Sequence, residues 1–133
     1  GNLSLNYNVF LKWKGFFLFQ FIIPVFLFSQ EMKKNKKVLV HVVLLKFKDK
    51  ADIDLFGNES YKYLSTIEGI NNFLFSKNIS PEGKSKGFTH ALVMQFNSEF
   101  DRDSVYLPHS KHLSFAKKYW GDNVEDFVVY DYW

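Results

Sequence analysis

The chain has 133 residues, of which 47% are hydrophobic and 20% aromatic, a composition that suits one folded domain with a core and argues against a disordered chain. Its formal charge of +3 comes from 17 basic and 14 acidic residues that are mostly interspersed, and Arg102 is the only arginine, so no nucleic-acid partner is expected. The absence of cysteine excludes disulfides, a thiolate nucleophile and cysteine-bound metal centres.

Residues 1–30 have the pattern of an export signal. Lys12 and Lys14 precede an apolar run, GFFLFQFIIPVFLF, and the small residue Ser29 follows it. The run is shorter than the roughly 20 residues of a membrane span and contains Pro24, so a retained membrane anchor is the less favoured alternative. We predict a signal peptide and no stable membrane association after its removal.

A second interpretation of this segment is an N-terminal extension upstream of a start at Met32. The expected location then differs, because a signal peptide predicts a periplasmic or secreted protein and an extension predicts a cytoplasmic one. Residues 31–37 contain four lysines and are predicted to be a basic tether in solvent. On either interpretation, the folded domain is expected at residues 38–133.

Hydrophobic periodicity divides residues 38–133 into six elements. Val38–Phe47, VLVHVVLLKF, is apolar and β-branched, as in a central strand that is buried on both faces. Asp52–Ile67 has apolar residues at helical spacing and Gly69 as a stop, whereas Pro108 interrupts the second helical region. The predicted order is strand, helix, strand, strand, helix, strand, at residues 38–47, 52–67, 73–79, 88–96, 98–120 and 124–133.

This order predicts an α+β domain of the ferredoxin-like type, in which both helices cover one face of an antiparallel sheet. The other face of the sheet is also apolar, because Val40 and Val42 alternate with Val43 and Leu45 in the first strand. An uncovered apolar face is an association surface. We therefore predict a homodimer, in which a second copy covers this face.

Four blocks of the sequence resemble the stress-responsive dimeric α/β-barrel (Dabb) domain family: HVVLLKFK at 41–48, SPEGKSKGFTHALVMQF at 80–96, YLPHSKHLSF at 106–115 and VVYDYW at 128–133. The resemblance runs in order through residues 38–133. It implies that two ferredoxin-like units pack their sheets face to face as a dimeric α/β barrel. Many members of the family have no assigned activity, while a plant branch, similar to olivetolic acid cyclase, folds linear polyketides by an intramolecular aldol condensation.

The plant branch has a tyrosine and a histidine six positions later at the centre of its site, and the resemblance carries these catalytic roles to Tyr106 and His112. That branch also has histidines in its first and third strands, which match His41 and His90. An aldol condensation needs a base, a donor for the developing oxyanion and an apolar pocket, without a metal or organic cofactor. Pro108, predicted in the first turn of a helix, would direct His112 inward.

Five residues are predicted to bind a ligand around the catalytic pair: His41, Phe88, His90, His109 and Phe115. Each has a structural alternative, since histidines and aromatic side chains on apolar faces are more often hydrogen-bonded or packed in a core. The same alternative applies to Tyr106. His109 and His112 form an H-x-x-H pair, which can bind a metal, but the sequence specifies no third ligand, so no metal site is predicted.

Two functions of different class follow from these residues. The first is a stress-response dimeric barrel protein that binds a small apolar ligand and has no assigned activity. The second is a cofactor-independent cyclase or lyase for a hydrophobic, polyketide-like carbonyl compound, with His112 as base and Tyr106 as donor. The loop SPEGKSKG resembles bacterial-type members of the family rather than the plant cyclases, and it favours the first function.

Overall fold

The structure, a computed structural model, describes residues 37–133. The predicted export signal at residues 1–30 and most of the basic tether lie outside the described residues, so both remain predictions. Within residues 37–133, no helix combines the length and the apolar character that are needed to cross a membrane.

Four strands form a single antiparallel sheet, and helices connect them. In chain order the elements are β1 (Leu39–Phe47), α1 (Ile53–Leu64), β2 (Ile70–Lys77), β3 (His90–Phe96), α2 (Asp101–Tyr106), α3 (Ser110–Phe115) and β4 (Val124–Tyr132). Two further helical segments, Ala116–Trp120 and Gly121–Asn123, continue α3 to β4. The strands lie in the order β2-β3-β1-β4, with all pairs antiparallel. This arrangement confirms the predicted α+β, ferredoxin-like fold.

The first helix and the second strand differ from the prediction at their ends. The Asp52 carboxylate caps α1 by accepting a hydrogen bond from the Leu55 amide at 3.0 Å. The helix ends at Leu64, three residues before the predicted end. Gly69 then has a φ of +88°, a left-handed conformation that glycine adopts without strain. The chain thus leaves the helix after Leu64, and β2 also begins three residues before its predicted start.

The predicted position of Pro108 in the first turn of a helix is wrong. α2 ends at Tyr106, and its hydrogen bonds are of the wider π type. α3 begins one residue after His109, whose ring accepts a hydrogen bond from the Lys111 amide at 3.1 Å. Because this ring supplies the cap of α3, Pro108 lies outside the helix, in the turn between α2 and α3.

The helices cover one face of the sheet and form the core with it. On β1 this face carries Leu39, Val43 and Leu45, all of which are buried. Phe56 of α1 and Phe115 of α3 pack in the same core, with their ring centroids 5.2 Å apart. Alternation in the sequence predicted two faces of this strand, and the structure identifies the one that lies under the helices.

The opposite face of the sheet, called here the open face, is also largely apolar. It consists of Val40, Val42 and Leu44 of β1 together with the residues paired with them on β3 and β4: Ala91, Val93, Gln95, Val128, Tyr130 and Tyr132. Leu44, Val128 and Tyr130 are 37%, 41% and 63% exposed. Residues 37–133 therefore leave exposed apolar side chains on this face, as the pattern of the first strand predicted.

Gly57 allows α1 to approach β2 closely, since a Cβ atom at this position would overlap the ring of Phe75. We expect Gly57→Ala to lower the free energy of unfolding by about 1–3 kcal/mol, because overpacking outweighs the better helix propensity of alanine. Urea denaturation measures the change. Gly121→Ala is the matched control, since nothing lies within 4 Å of a Cβ added there. An equal loss in both variants would contradict this steric explanation.

Candidate functional site

Three predicted site residues meet on the helix-covered face of the sheet: His41, Tyr106 and His112, called here the His–Tyr group. The Tyr106 ring centroid lies 5.8 Å from that of His41 and 4.4 Å from that of His112. Phe96 of β3 packs against Tyr106, with a centroid distance of 5.4 Å. The fold therefore brings three polar rings together beside an apolar wall.

A different element positions each ring of the His–Tyr group. His41 lies on β1 between the core residues Leu39 and Val43, so strand alternation directs its side chain toward the helices. Tyr106 is the last residue of α2, and His112 lies in α3, beyond the intervening turn. Tyr106 and His41 are 4% and 6% exposed, whereas His112 is half-buried. His112 is therefore the member of the group nearest to solvent.

Asp131 and Arg102 extend the group, and neither was predicted to be a site residue. His41 Nδ1 lies 2.7 Å from Asp131 Oδ1 across the paired strands β1 and β4, and Arg102 donates to Asp131 Oδ2 at 2.9 Å. Because a carboxylate oxygen accepts the hydrogen bond, His41 Nδ1 carries the hydrogen. In neutral His41 the lone pair is then on Nε2. The sequence feature that could have indicated Asp131 is its position as the one acidic residue within the apolar run FVVYDYW.

His112 is held in the same tautomer by a backbone group. Its Nδ1 lies 2.9 Å from the carbonyl oxygen of Leu107, and because a carbonyl only accepts, Nδ1 is the donor. When His112 is neutral, its lone pair is therefore on Nε2, which is the form that a general base requires. Both histidines of the group are thus anchored through Nδ1.

Burial sets the protonation states of the two least exposed rings. Removal from water lowers the pKa of His41 below its ordinary value, although the attraction of Asp131 opposes this shift, so the imidazole is neutral at pH 7. Burial, with a smaller contribution from the charge of Asp131, raises the pKa of the Tyr106 phenol above its ordinary value. At neutral pH the site therefore holds a protonated hydroxyl beside a neutral imidazole.

His90 and Phe88 do not join the His–Tyr group. The residue opposite His90 on β1 is Leu45, four positions from His41, which corresponds to about 13 Å along the strand. The His90 ring stacks on Phe75 at a centroid distance of 5.2 Å. His90 and Phe88 instead line a separate cavity. Their predicted role in ligand binding stays a prediction, and it concerns a different place in the fold.

The contacts of His109 and Phe115 are of the kind that stabilise the fold. His109 caps α3, and Phe115 is 1% exposed and packs against Phe56 and Tyr63 in the core. Their ligand-binding roles also stay predictions. His109 and His112 bond to different backbone groups, and in the described part of the chain no three histidine or acidic side chains are grouped to hold a metal ion.

The fold and the site together define a class of protein: a ferredoxin-like α+β subunit with a histidine and tyrosine group between its sheet and its helices. The family described as Stress responsive A/B Barrel Domain (Dabb) matches residues 39–133, which is nearly all of the described domain. The chain belongs to this family, and the predicted resemblance is confirmed.

Several known proteins are similar to this chain over the same domain. The curated stress-response A/B barrel domain-containing protein HS1 of Arabidopsis thaliana is 28% identical over 104 residues, which are 76% of this chain and 94% of HS1. A solved Dabb family protein of ferredoxin-like fold from Mesorhizobium loti has a TM-score of 0.62 and 25% identity, and the match covers 72% of this chain and 95% of that one.

Two more distant solved structures show the same fold. A hydroxynitrile lyase from Passiflora edulis has a TM-score of 0.64 and 22% identity, and the match covers 73% of this chain and 93% of the lyase. A dimeric ferredoxin-like protein of unknown function from Jannaschia has a TM-score of 0.62 and 17% identity, with 73% and 99% covered. At these identities the likeness concerns the fold alone.

Proposed function

We propose that the protein is a homodimeric stress-response barrel that binds a small apolar ligand at the His–Tyr group. The observation that carries the proposal is the convergence of His41, Tyr106 and His112 beside Phe96, with both histidines anchored through Nδ1. A carbonyl or hydroxyl oxygen of a ligand would find a donor in the Tyr106 hydroxyl, and a ligand hydroxyl would find an acceptor in a histidine Nε2. The apolar part of the ligand would pack against Phe96.

The dimer in this proposal rests on the open face. A two-fold dimer brings the same surface of each subunit together, so two open faces would bury each other's apolar side chains, among them Leu44, Val128 and Tyr130. The Jannaschia protein, which has the same subunit fold, is dimeric. Two sheets packed face to face would form the barrel after which the family is named.

Calorimetric titration with 2-heptanone, a small apolar ketone, tests the ligand site. We expect saturable binding by the wild type and about tenfold weaker binding by Tyr106→Phe, because the ketone oxygen then loses its hydrogen-bond donor. Tyr61→Phe is the matched control, since Tyr61 is 60% exposed on α1 and lies outside the group. Absence of binding, or equal weakening by both variants, would contradict the proposal.

The contact between Tyr106 and His112 favours a second candidate function, acid–base catalysis on the same class of ligand. His112 Nε2 would remove a proton next to the carbonyl, while the protonated Tyr106 hydroxyl would donate to the developing enolate oxygen. Neither step requires a cofactor. The Passiflora lyase supports this candidate only in that an enzyme uses the same fold.

Exchange of the α-protons of 2-heptanone with D₂O tests catalysis even when the natural substrate is not known. If His112 is a base, NMR will show faster loss of the α-proton signal with the wild type than with buffer, and His112→Gln will return the rate to that of buffer. Retained binding in His112→Gln would separate catalysis from a binding defect. Binding by the wild type without accelerated exchange would reject catalysis for this ketone and leave the binding function standing.

A further inference from the structure

A second cavity lies away from the His–Tyr group, where β2 ends and β3 begins. It has a volume of about 350 Å³, within the usual range of about 300–1,000 Å³ for small-ligand sites. Part of its lining is apolar and comes from Leu44, Phe88 and Ala91. Leu44 and Ala91 are directly paired across β1 and β3, so the sheet itself supplies this part of the cavity.

The rest of the lining is basic or neutral polar. Lys77 at the end of β2 and Lys84 in the following loop both line the cavity, together with His90. None of the nine described residues that line it is acidic. Among residues 37–133, the ion pairs include neither lysine, so no carboxylate of the described chain neutralises them.

His90 is influenced by the charge of one of these lysines. Burial lowers the pKa of His90, and the charge of Lys77 lowers it further. Asp54 of α1 opposes this shift, but it does not line the cavity. An anion bound in the cavity would receive charge-assisted hydrogen bonds from the lysines.

We propose that this cavity is a second binding site that takes a small apolar carboxylate. The carboxylate would bind Lys77 and Lys84, and the apolar part would lie against Phe88 and Leu44. The proposal goes beyond the function proposed above, because no member of the His–Tyr group lines this cavity. Leu44 and Ala91 belong to the open face, so in the proposed dimer a second copy would adjoin one side of the bound carboxylate.

Benzoate and benzamide form a matched pair of probes, since they share the ring and differ in charge. Two-dimensional NMR of the full chain titrated with each probe will locate binding through the amide signals of Ser85, Phe88 and His90. We expect benzoate to shift these signals saturably and benzamide to bind at least about tenfold more weakly, because only the carboxylate can form charge-assisted hydrogen bonds.

Three variants complete the test of the second cavity. Lys77→Gln/Lys84→Gln is expected to weaken benzoate binding by about tenfold or more, while Lys117→Gln, an exposed lysine on the helix side, leaves it unchanged. Tyr106→Phe should also leave it unchanged, which separates this site from the ketone site. Equal binding of benzoate and benzamide, an unaffected double variant, or shifts confined to the His–Tyr group would each overturn the proposal.

Discussion

A lysine in place of Tyr130 is expected to convert the proposed dimer into monomers. Tyr130 is paired with Val42 on the open face and is 63% exposed in a single subunit, so the substitution costs an isolated subunit little. In a face-to-face dimer the lysine would be buried among apolar side chains, where an unpaired charge costs several kcal/mol. We expect the dissociation constant of the dimer to rise at least about a hundredfold, as measured by sedimentation equilibrium.

Leu113→Lys is the matched control for this substitution. Leu113 is 56% exposed, a similar fraction, but it lies on α3, in the layer on the other face of the sheet. The control therefore places the same charge on an exposed apolar position outside the proposed interface. A monomeric wild type, or equal dissociation of the two variants, would count against the open face as the dimer interface.

Asp131→Asn is expected to lower the free energy of unfolding by about 1–3 kcal/mol at pH 7.5. The substitution removes the charge that partners both His41, at 2.7 Å, and Arg102, at 2.9 Å. The Asp131 side chain is 21% exposed, so solvent screens part of the interaction and the loss stays below that of a fully buried pair. Urea denaturation measures the difference.

Asp103→Asn provides the control for the loss of charge. Asp103 also accepts a hydrogen bond from Arg102, at 2.7 Å, but its side chain is 51% exposed. We expect this variant to change stability much less than Asp131→Asn, because an exposed ion pair contributes little. Similar losses of stability in both variants would show that the contact between Asp131 and His41 does not add to the free energy of unfolding.

Asp131→Asn is also expected to extend the acid-induced loss of stability to lower pH. Burial lowers the pKa of folded His41, and Arg102 and His112 add to this effect, so the unfolded chain binds a proton first as the pH falls below about 6.5. Stability is therefore full above this pH and is lost below it. Asp131 opposes the shift, so in Asp131→Asn the pKa of His41 falls further and the loss continues to lower pH.

An NMR titration of the His41 ring measures this pKa shift directly. The pKa of His90 is also lowered, so His90 contributes to the pH dependence of stability in the same direction. This contribution is present in both proteins and largely cancels when the variant is compared with the wild type. A His41 pKa that is unchanged or raised in Asp131→Asn would contradict the expected electrostatic role of Asp131.

The order of the elements and the two faces of β1 could be predicted because both depend on local periodicity. The predicted starts or ends of β1 and β4 differ from the structure by one residue. The ends of α1 and β2 were less accurate, because Ile67 continues the apolar helical spacing although the chain has already left the helix after Leu64. The start of α3 depended on whether Pro108 would lie in the first turn or His109 would cap a helix that begins after it, which hydrophobic periodicity does not determine.

The candidate site was predictable only in part. The family resemblance indicated Tyr106 and His112, and the structure brings His41 to them. His90 shares the helix-covered face but lies elsewhere along the sheet, because alternation determines the face and only the strand register determines the position. Asp131 was missed for the same reason, since its contact with His41 depends on the register of β1 with β4.

Because of the position of Asp131, the site can be lost while the fold persists. The buried core of the described domain takes no side chain from beyond Val124, whereas Asp131 lies near the end of β4, an edge strand with mostly exposed side chains. A proteolytic cut after Tyr130 would leave the core in place and detach the carboxylate that holds His41. The rate at which the site is lost would then depend on local fraying of the edge strand β4 rather than on global unfolding.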